Sequence, residues 1–358
     1  MGLPFFDSSL SKKRDQILAV DLGSRTTKAV CLQRRGQGFA LSGFTLLDAP
    51  IYEKTLPPEL LSEHLKAVVA ALQPKTKFVA LTVSVNDAQV RHADIPRMSV
   101  HDMRQILKLS SKTYLQQDLA GHVFDCHISE RAPEAKAGNK PKDVSGPQKQ
   151  RVLVAAVRKQ LLDDYVHGAK GAGLIADLIM PSLIGPANAL EKALPEVFGK
   201  EVVALVDVGF KNSSICIVQE GDLVLSRVVS IGGDKLTQGL ADDLNVSYAE
   251  AEGIKIGMPG EVQAQLETLL LPLGRELRAS IDFFEHQQDR PVTQVFLTGG
   301  SARSEFIVQK LRQELMVECQ VLNPTTFLEM QLPPQQAAEI GQVGPQLTVA
   351  LGAALAAL

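Results

Sequence analysis

Ile17-Leu-Ala-Val-Asp-Leu-Gly-Ser-Arg-Thr-Thr-Lys28 and Val202-Val-Ala-Leu-Val-Asp-Val-Gly-Phe-Lys-Asn-Ser213 are two copies of one pattern. Each is a short apolar run closed by an acid, a glycine and a polar turn. That pattern reads as a buried strand entering a tight hairpin. The surroundings repeat as well. After the first copy, Lys28 to Gln33 and Phe39 to Leu47 read as strands joined at Arg34-Arg-Gly-Gln-Gly38. After the second, Ser213 to Gln219 and Leu223 to Ile231 read the same way, joined at Glu220-Gly-Asp222. A helix is expected after Pro57-Pro58, with Leu61, Leu65, Val68, Val69 and Leu72 on one face, and another after Gly232-Gly233. Two βββα units imply two homologous lobes, each with an acid at the end of its first strand.

Composition agrees with a folded chain of more than one domain. Of 358 residues, 45% are hydrophobic and 22% charged, and a net charge of −3 gives no global reason to expect nucleic-acid binding. The four cysteines, Cys31, Cys126, Cys216 and Cys319, lie far apart and read as reduced, buried small hydrophobes. The seven histidines show no metal-ligand spacing, and no GxSxG or GxxxxGK[ST] stretch occurs. The apolar run at Ile17 is too short for a signal peptide core, and the tail from Leu347 falls short of the ~20 residues a bilayer requires. A cytoplasmic protein that meets a membrane only through a partner is therefore expected.

Between the lobes the pattern changes. Phe78 to Val85 and Gln89 to Ile95 are strand-like, and Ser99 to Tyr114 is helix-like with Ser99 as N-cap. Val123 to Ile128 and Arg151 to Val157 could pair, and the connection Arg131 to Gln150 reads as a mobile surface loop. The expected organisation is a tail over 1–14, a first lobe over 15–78 and 158–198, an insert over 79–157, a second lobe over 199–345, and a C-terminal helix over 346–358 returning to the first lobe. In the second lobe, Ser247-Tyr-Ala-Glu250 fits a capping box. Leu266 to Gln287 reads as a long amphipathic helix, and Val295 to Thr298 as a strand running into Gly299-Gly300.

The first turn offers phosphate-binding chemistry. Gly23 lets a phosphate approach the backbone, while Ser24, Arg25, Thr26, Thr27 and Lys28 supply donors and charge. The second turn offers Gly209, Lys211 and Asn212. Two such hairpins would clamp a triphosphate, and Asp21 with Asp207 would hold Mg²⁺ through water. Two structural turns left by duplication are the alternative. Gly232 and Gly233, the Glu252/Lys255 pair on one helix face, and Gly299, Gly300 and Ser301 are candidates for the sugar and base.

In this order the motifs resemble the actin, DnaK-type chaperone and sugar-kinase superfamily, with phosphate motifs at Asp21 and Asp207, an adenosine motif at Val295 to Ala302, and a connecting helix at Ala350-Leu-Gly-Ala-Ala354. Within it, the chain is similar to the PilM family of type IV pilus assembly and next to FtsA. Arg227 to Thr237, Tyr248 to Lys255, Ile95-Pro-Arg-Met98, Val152 to Val157 and Gly171-Ala-Gly-Leu174 carry that similarity. The resemblance implies an actin-like two-lobe α/β fold with a small inserted α+β subdomain, and ATP with Mg²⁺ between the lobes. It also implies a PilN-like membrane protein whose cytoplasmic tail binds beside the insert, other pilus platform or motor components as partners, and self-association. One departure matters. In Ala176-Asp-Leu-Ile-Met-Pro181, Met180 stands where the family carries a glutamate that orients the attacking water. A thioether cannot take that role, so ATP binding with slow hydrolysis at most is expected; a shift of alignment would make Asp177 the catalytic candidate. An FtsA-like filament protein would add a membrane-binding C-terminal helix, and a small-molecule kinase would need an acceptor pocket that the insert does not offer.

Overall fold

The computed structural model describes residues 14–129 and 148–358. The tail expected over 1–14 therefore lies outside the described residues except for Arg14, as does most of the loop expected over Arg131 to Gln150. The last residues of that loop, Lys149 and Gln150, already belong to a strand.

The duplication is visible in the topology. The first unit contains β1 (Gln16–Leu22), β2 (Thr26–Arg35), β3 (Gly38–Asp48), α1 (Pro58–Leu72) and β4 (Phe78–Val83). An insert follows, made of β5 (Ala88–Pro96), α2 (Val100–Leu115), β6 (His122–Ile128) and β7 (Lys149–Arg158). The chain then returns through α3 (Lys159–Gly171) to β8 (Ile175–Pro181) and passes along α4 (Gly185–Ala193) and α5 (Pro195–Lys200). The second unit runs through β9 (Val202–Val208), β10 (Ser213–Gln219), β11 (Asp222–Val229), α6 (Gly233–Leu244), α7 (Tyr248–Gly257), α8 (Gln263–Gln288), β12 (Gln294–Thr298), α9 (Glu305–Leu315) and β13 (Glu318–Val321). β14 (Leu328–Met330), α10 (Pro334–Val343) and α11 (Thr348–Ala357) complete the described chain.

The first sheet has the order β14-β3-β2-β1-β4-β8 and the second β11-β10-β9-β12-β13. Without β14 the two orders are equivalent: a three-stranded meander whose first strand pairs in parallel with a fourth, which in turn pairs in parallel with a fifth. Two expected boundaries are corrected by this pairing. Phe78–Val83, expected with the insert, lies between β1 and β8 because its apolar run can be buried on both faces. Leu328–Met330, expected with the second unit, extends the first sheet through Phe39, Ala40 and Leu41.

Helices α1 and α3 cover one face of the first sheet, and α8 with α9 one face of the second. Between the sheets lie α4 and α11; Leu183 and Ile184 from the turn before α4, Leu190 of α4, and Ala350, Leu351 and Ala354 of α11 join β1 and β9 side chains in one core. This contact requires glycine. A Cβ on Gly352 would collide with the Gly185 carbonyl, and one on Gly185 would lie 2.8 Å from Val349 Cα. The apolar stretch Pro334–Ala357 is long enough to cross a membrane by composition, but its C-terminal part, from Leu347 to Leu355, is buried in this core.

Local rules hold where they were legible. Ser99 caps α2 by accepting from the Asp102 amide, and the Ser247–Glu250 capping box opens α7. The insert is a β5-β7-β6 sheet. One face packs on α2 through Ile95, Met103, Leu107, Phe124 and Val154. The other, carrying Leu153 and Ala155, joins the central core and meets the β10–β11 hairpin. There His92 Nε2 lies 2.7 Å from the Leu223 carbonyl oxygen, and Ser129 donates to Asp222 at 2.6 Å.

Burial, with a smaller push from Arg151, lowers the His92 pKa to about 4. The folded chain thus binds fewer protons there than the unfolded chain, so this site loses stability as pH falls from about 6.5 to about 4. His92→Gln is expected to flatten the pH dependence of the urea midpoint across that window, and an unchanged slope would count against it.

Candidate functional site

The two hairpins meet. Asp21 ends β1 opposite Lys28 of β2, and alternation along β2 points Lys28 to the same side as Asp21. Lys28 Nζ donates to Asp21 Oδ2 at 3.0 Å. Burial works against the ammonium charge, but Asp21, and Asp207 from the other half, raise its pKa above the ordinary lysine value. Asp207 ends β9 in the equivalent place. Burial pushes its pKa up and Asp21 adds to this, while Lys28 and a hydrogen bond from Thr298 pull it down; the net direction is up. Lys28, paired with Asp21 and within the electrostatic reach of Asp207, thus marks where the duplicated units face each other.

A threonine supports each carboxylate. Thr82 Oγ1 donates to Asp21 Oδ1 at 2.8 Å, and Thr298 Oγ1 donates to Asp207 Oδ1 at 3.1 Å. The two pairs are equivalent by register, Asp21 opposite Thr82 on β4 and Thr298 opposite Asp207 on β12. Thr82 was missed in the sequence; the signal was the shared Leu-Thr ending of the two fourth strands, Leu81-Thr82 and Leu297-Thr298.

Glycines keep the space around these groups open. An added Cβ on Gly23 would fall 2.5 Å from Lys28 Nζ and from the Thr26 carbonyl oxygen. On Gly299, whose φ is +90°, it would collide with Asp207 Oδ1. On Gly209 it would lie 2.7 Å from the Asn212 carbonyl, the group that accepts the Gly209 amide at 3.1 Å. Gly232 packs against the Gly209 and Phe210 carbonyls, and the Gly233 amide donates to Gly209.

A second cluster stands beside the first. Lys255 donates to Thr237 at 2.6 Å and to the Gly233 carbonyl at 3.2 Å, and pairs with Glu252 at 2.7 Å. Glu252 also accepts from Thr237 and, at 2.6 Å, from Arg25 of the first hairpin. Burial alone would raise the Glu252 pKa; hydrogen bonds from Lys255, Thr237 and Arg25 hold it below the usual carboxylate range. Ser301 lies next to Gly233, where its Oγ would be 3.0 Å from an added Cβ, and Gly300 precedes it at an exposed turn.

Other expected residues are engaged elsewhere. Thr27 is buried with its hydroxyl 2.8 Å from His64 Nε2, because strand alternation turns it away from the Lys28 side. Lys211 pairs with Asp234 at 2.6 Å at an exposed position, and Ser24 is exposed at the hairpin tip. Asp177 is corrected as a catalytic candidate. It lies at the level of Val79 and Ala80, toward the start of the sheet, where Arg14 pairs with it at 2.7 Å. Met180, by contrast, stands in one row with Thr82 and Asp21 across β8, β4 and β1. A carboxylate there would sit level with Asp21; the methionine is instead fully buried in the central core.

Among the described residues no group of three His, Cys, Asp or Glu gathers to hold a metal directly. The donor set of Asp21 and Asp207, oxygen only and incomplete, fits a hard ion that keeps most of its water, as Mg²⁺ does. Glycine backbone and a lysine ammonium are the kinds of group that receive a polyphosphate.

Fold and site together define an actin-like protein: a duplicated α/β architecture with paired acidic hairpins between its halves. Comparison with solved structures agrees on the fold. A chain of the PilM–PilN type IV pilus biogenesis complex superposes with a TM-score of 0.80 at 21% identity, covering 97% of this chain and 99% of that one. The ethanolamine utilization protein EutJ of Carboxydothermus hydrogenoformans gives 0.55 at 16%, covering 96% and 90%. MreB5 of Spiroplasma citri bound to AMPPNP gives 0.53 at 10%, covering 95% of each. The family description "Type IV pilus assembly protein PilM" matches residues 19–358, and the chain belongs to that family. Cell division protein FtsA of Bacillus subtilis is 31% identical over 98 residues, 27% of this chain and 21% of that protein. FtsA of Pseudomonas aeruginosa is 29% identical over 177 residues, 49% of this chain and 39% of that protein. The chain thus spans well under half the length of these curated relatives.

Because the Asp207 pKa is raised, the folded chain holds a proton there that the unfolded chain has released, and ionisation penalises folding. Stability from this site is full below the ordinary carboxylate range and falls as pH rises through the raised value. Asp207→Asn is expected to raise the nucleotide-free urea midpoint at pH 8, with the gain shrinking toward pH 4. A loss of stability at pH 8 would contradict this.

Proposed function

We propose that this protein is a cytoplasmic, ATP-binding scaffold of a type IV pilus assembly platform, peripheral to the inner membrane through a PilN-like partner. The observation that carries the nucleotide part is the Asp21–Lys28–Asp207 arrangement, in which both duplicated hairpins direct charge and glycine backbone into one space. In this reading Gly23, Lys28, Gly209 and Gly299 surround the phosphates, and Asp21 and Asp207 hold Mg²⁺ through water. Glu252, Lys255, Gly233 and Ser301 meet the nucleoside. Bound Mg²⁺ would neutralise phosphate charge.

Hydrolysis is slow in this reading, since the row that holds Asp21 and Thr82 ends in Met180. The nucleotide then acts mainly as a clamp. At ~1,000 times Kd a ligand that binds only the folded state adds about 4 kcal/mol. Mg·ATP is expected to raise the melting temperature of the wild-type chain and to do so far less for Asp207→Ala; equal rises would remove Asp207 from the site.

The partner part rests on family membership and on the insert. Its helix α2 leaves Leu109 83% exposed, and Arg97 is exposed at the end of β5. We assign capture of the PilN-like cytoplasmic tail to this region, with other platform components and self-association using further surfaces. Arg97→Glu and Leu109→Asp are expected to weaken binding of a synthetic tail peptide at least several-fold while Mg·ATP affinity holds. Loss of both together would show that the two sites are not separate.

A further inference from the structure

Arg25 reaches across the gap between the halves at two points. Its Nη1 lies 2.6 Å from Glu252 Oε1 on α7, and its guanidinium carbon lies 5.1 Å from the Phe210 ring centroid at the tip of the second hairpin. Its partner is fixed in place: Glu252 is tied within its own half by Lys255 and Thr237, and Lys255 is tied to the Gly233 carbonyl. The two cations of the first hairpin lie at different depths. The Lys28 side chain is 18% exposed, whereas the Arg25 side chain is 45% exposed. Of the two, Lys28 is thus the more covered cation, beside Asp21, and Arg25 the more exposed one, across from Glu252. A planar guanidinium can stack on Phe210 and donate to Glu252 at once, which a lysine ammonium cannot do as well.

We propose that Arg25 is a positioning residue that latches the two halves over the nucleotide, so that nucleotide loads and leaves only when the Arg25–Glu252 pair opens. The inference rests on the nucleotide reading above and adds a role that this reading does not require. A phosphate ligand would slow release without hindering loading. A latch hinders both, because the same pair must part in either direction.

The test is stopped-flow binding of a fluorescent N-methylanthraniloyl ATP with Mg²⁺ to the full chain, comparing wild type with R25A and R25K. The exposed pair and the stacking contact are each modest, so R25A is expected to speed both association and release by about three- to tenfold. Kd should change by less than about twofold, and R25K should fall between. Unchanged rates in R25A would overturn the latch, as would faster release with slower association, which would make Arg25 a phosphate ligand. A wild-type chain that binds no analogue would overturn the nucleotide reading itself, a result distinct from either.

Discussion

The structure depends on one electrostatic arrangement, a largely buried lysine paired with the carboxylate of its own hairpin and within the field of a second carboxylate from the other half of the molecule. Lys28 and Asp21 share one hairpin, and Asp207 comes from the other. Each carboxylate lies toward the end of a strand buried on both faces, where it takes hydrogen bonds from protein groups. The threonines at Thr82 and Thr298 and the glycine at Gly299 follow from this. Each strand next to a carboxylate must donate a hydrogen bond to it or give way to it. The cost of gathering these charges, visible in the raised Asp207 pKa, is borne elsewhere in the fold.

That support comes from a core shared by both sheets. α4 and α11 lie between them, in contact at Gly185 and Gly352, and the insert adds its own rear face to the same core. The insert leaves the first unit at the end of β4 and docks on the β10–β11 hairpin of the second through His92 and Ser129. β10 therefore has the phosphate-facing hairpin at one end and the insert contact at the other. The Asp207 hairpin and the insert are thereby carried on the same strand.

Much of this was legible in the residue pattern. The repeated apolar run, acid and glycine announced the duplication, and the capping residues Ser99 and Ser247 marked helix starts that the structure retains. Glu252 and Lys255 were readable as one face of a helix and are paired at 2.7 Å. Other features were not legible. β4 and β14 looked like parts of their sequence neighbours because a strand's pairing partner is not written in the strand itself. Thr27 could not be told from Lys28 as a cleft residue without the strand phase, which sends one inward to His64 and the other to Asp21. Asp177 looked as eligible as Met180 until register placed it lower on the sheet with Arg14.

Sequence alone determined the repeat, the turns and the caps, because these depend on backbone preferences and periodicity within a few residues of each other. Tertiary structure decided which residues meet: Thr298 with Asp207, Arg25 with Glu252, Gly185 with Gly352. Those meetings depend on sheet register and on how two separately folded units pack, and such long-range geometry leaves little local trace in the chain that encodes it.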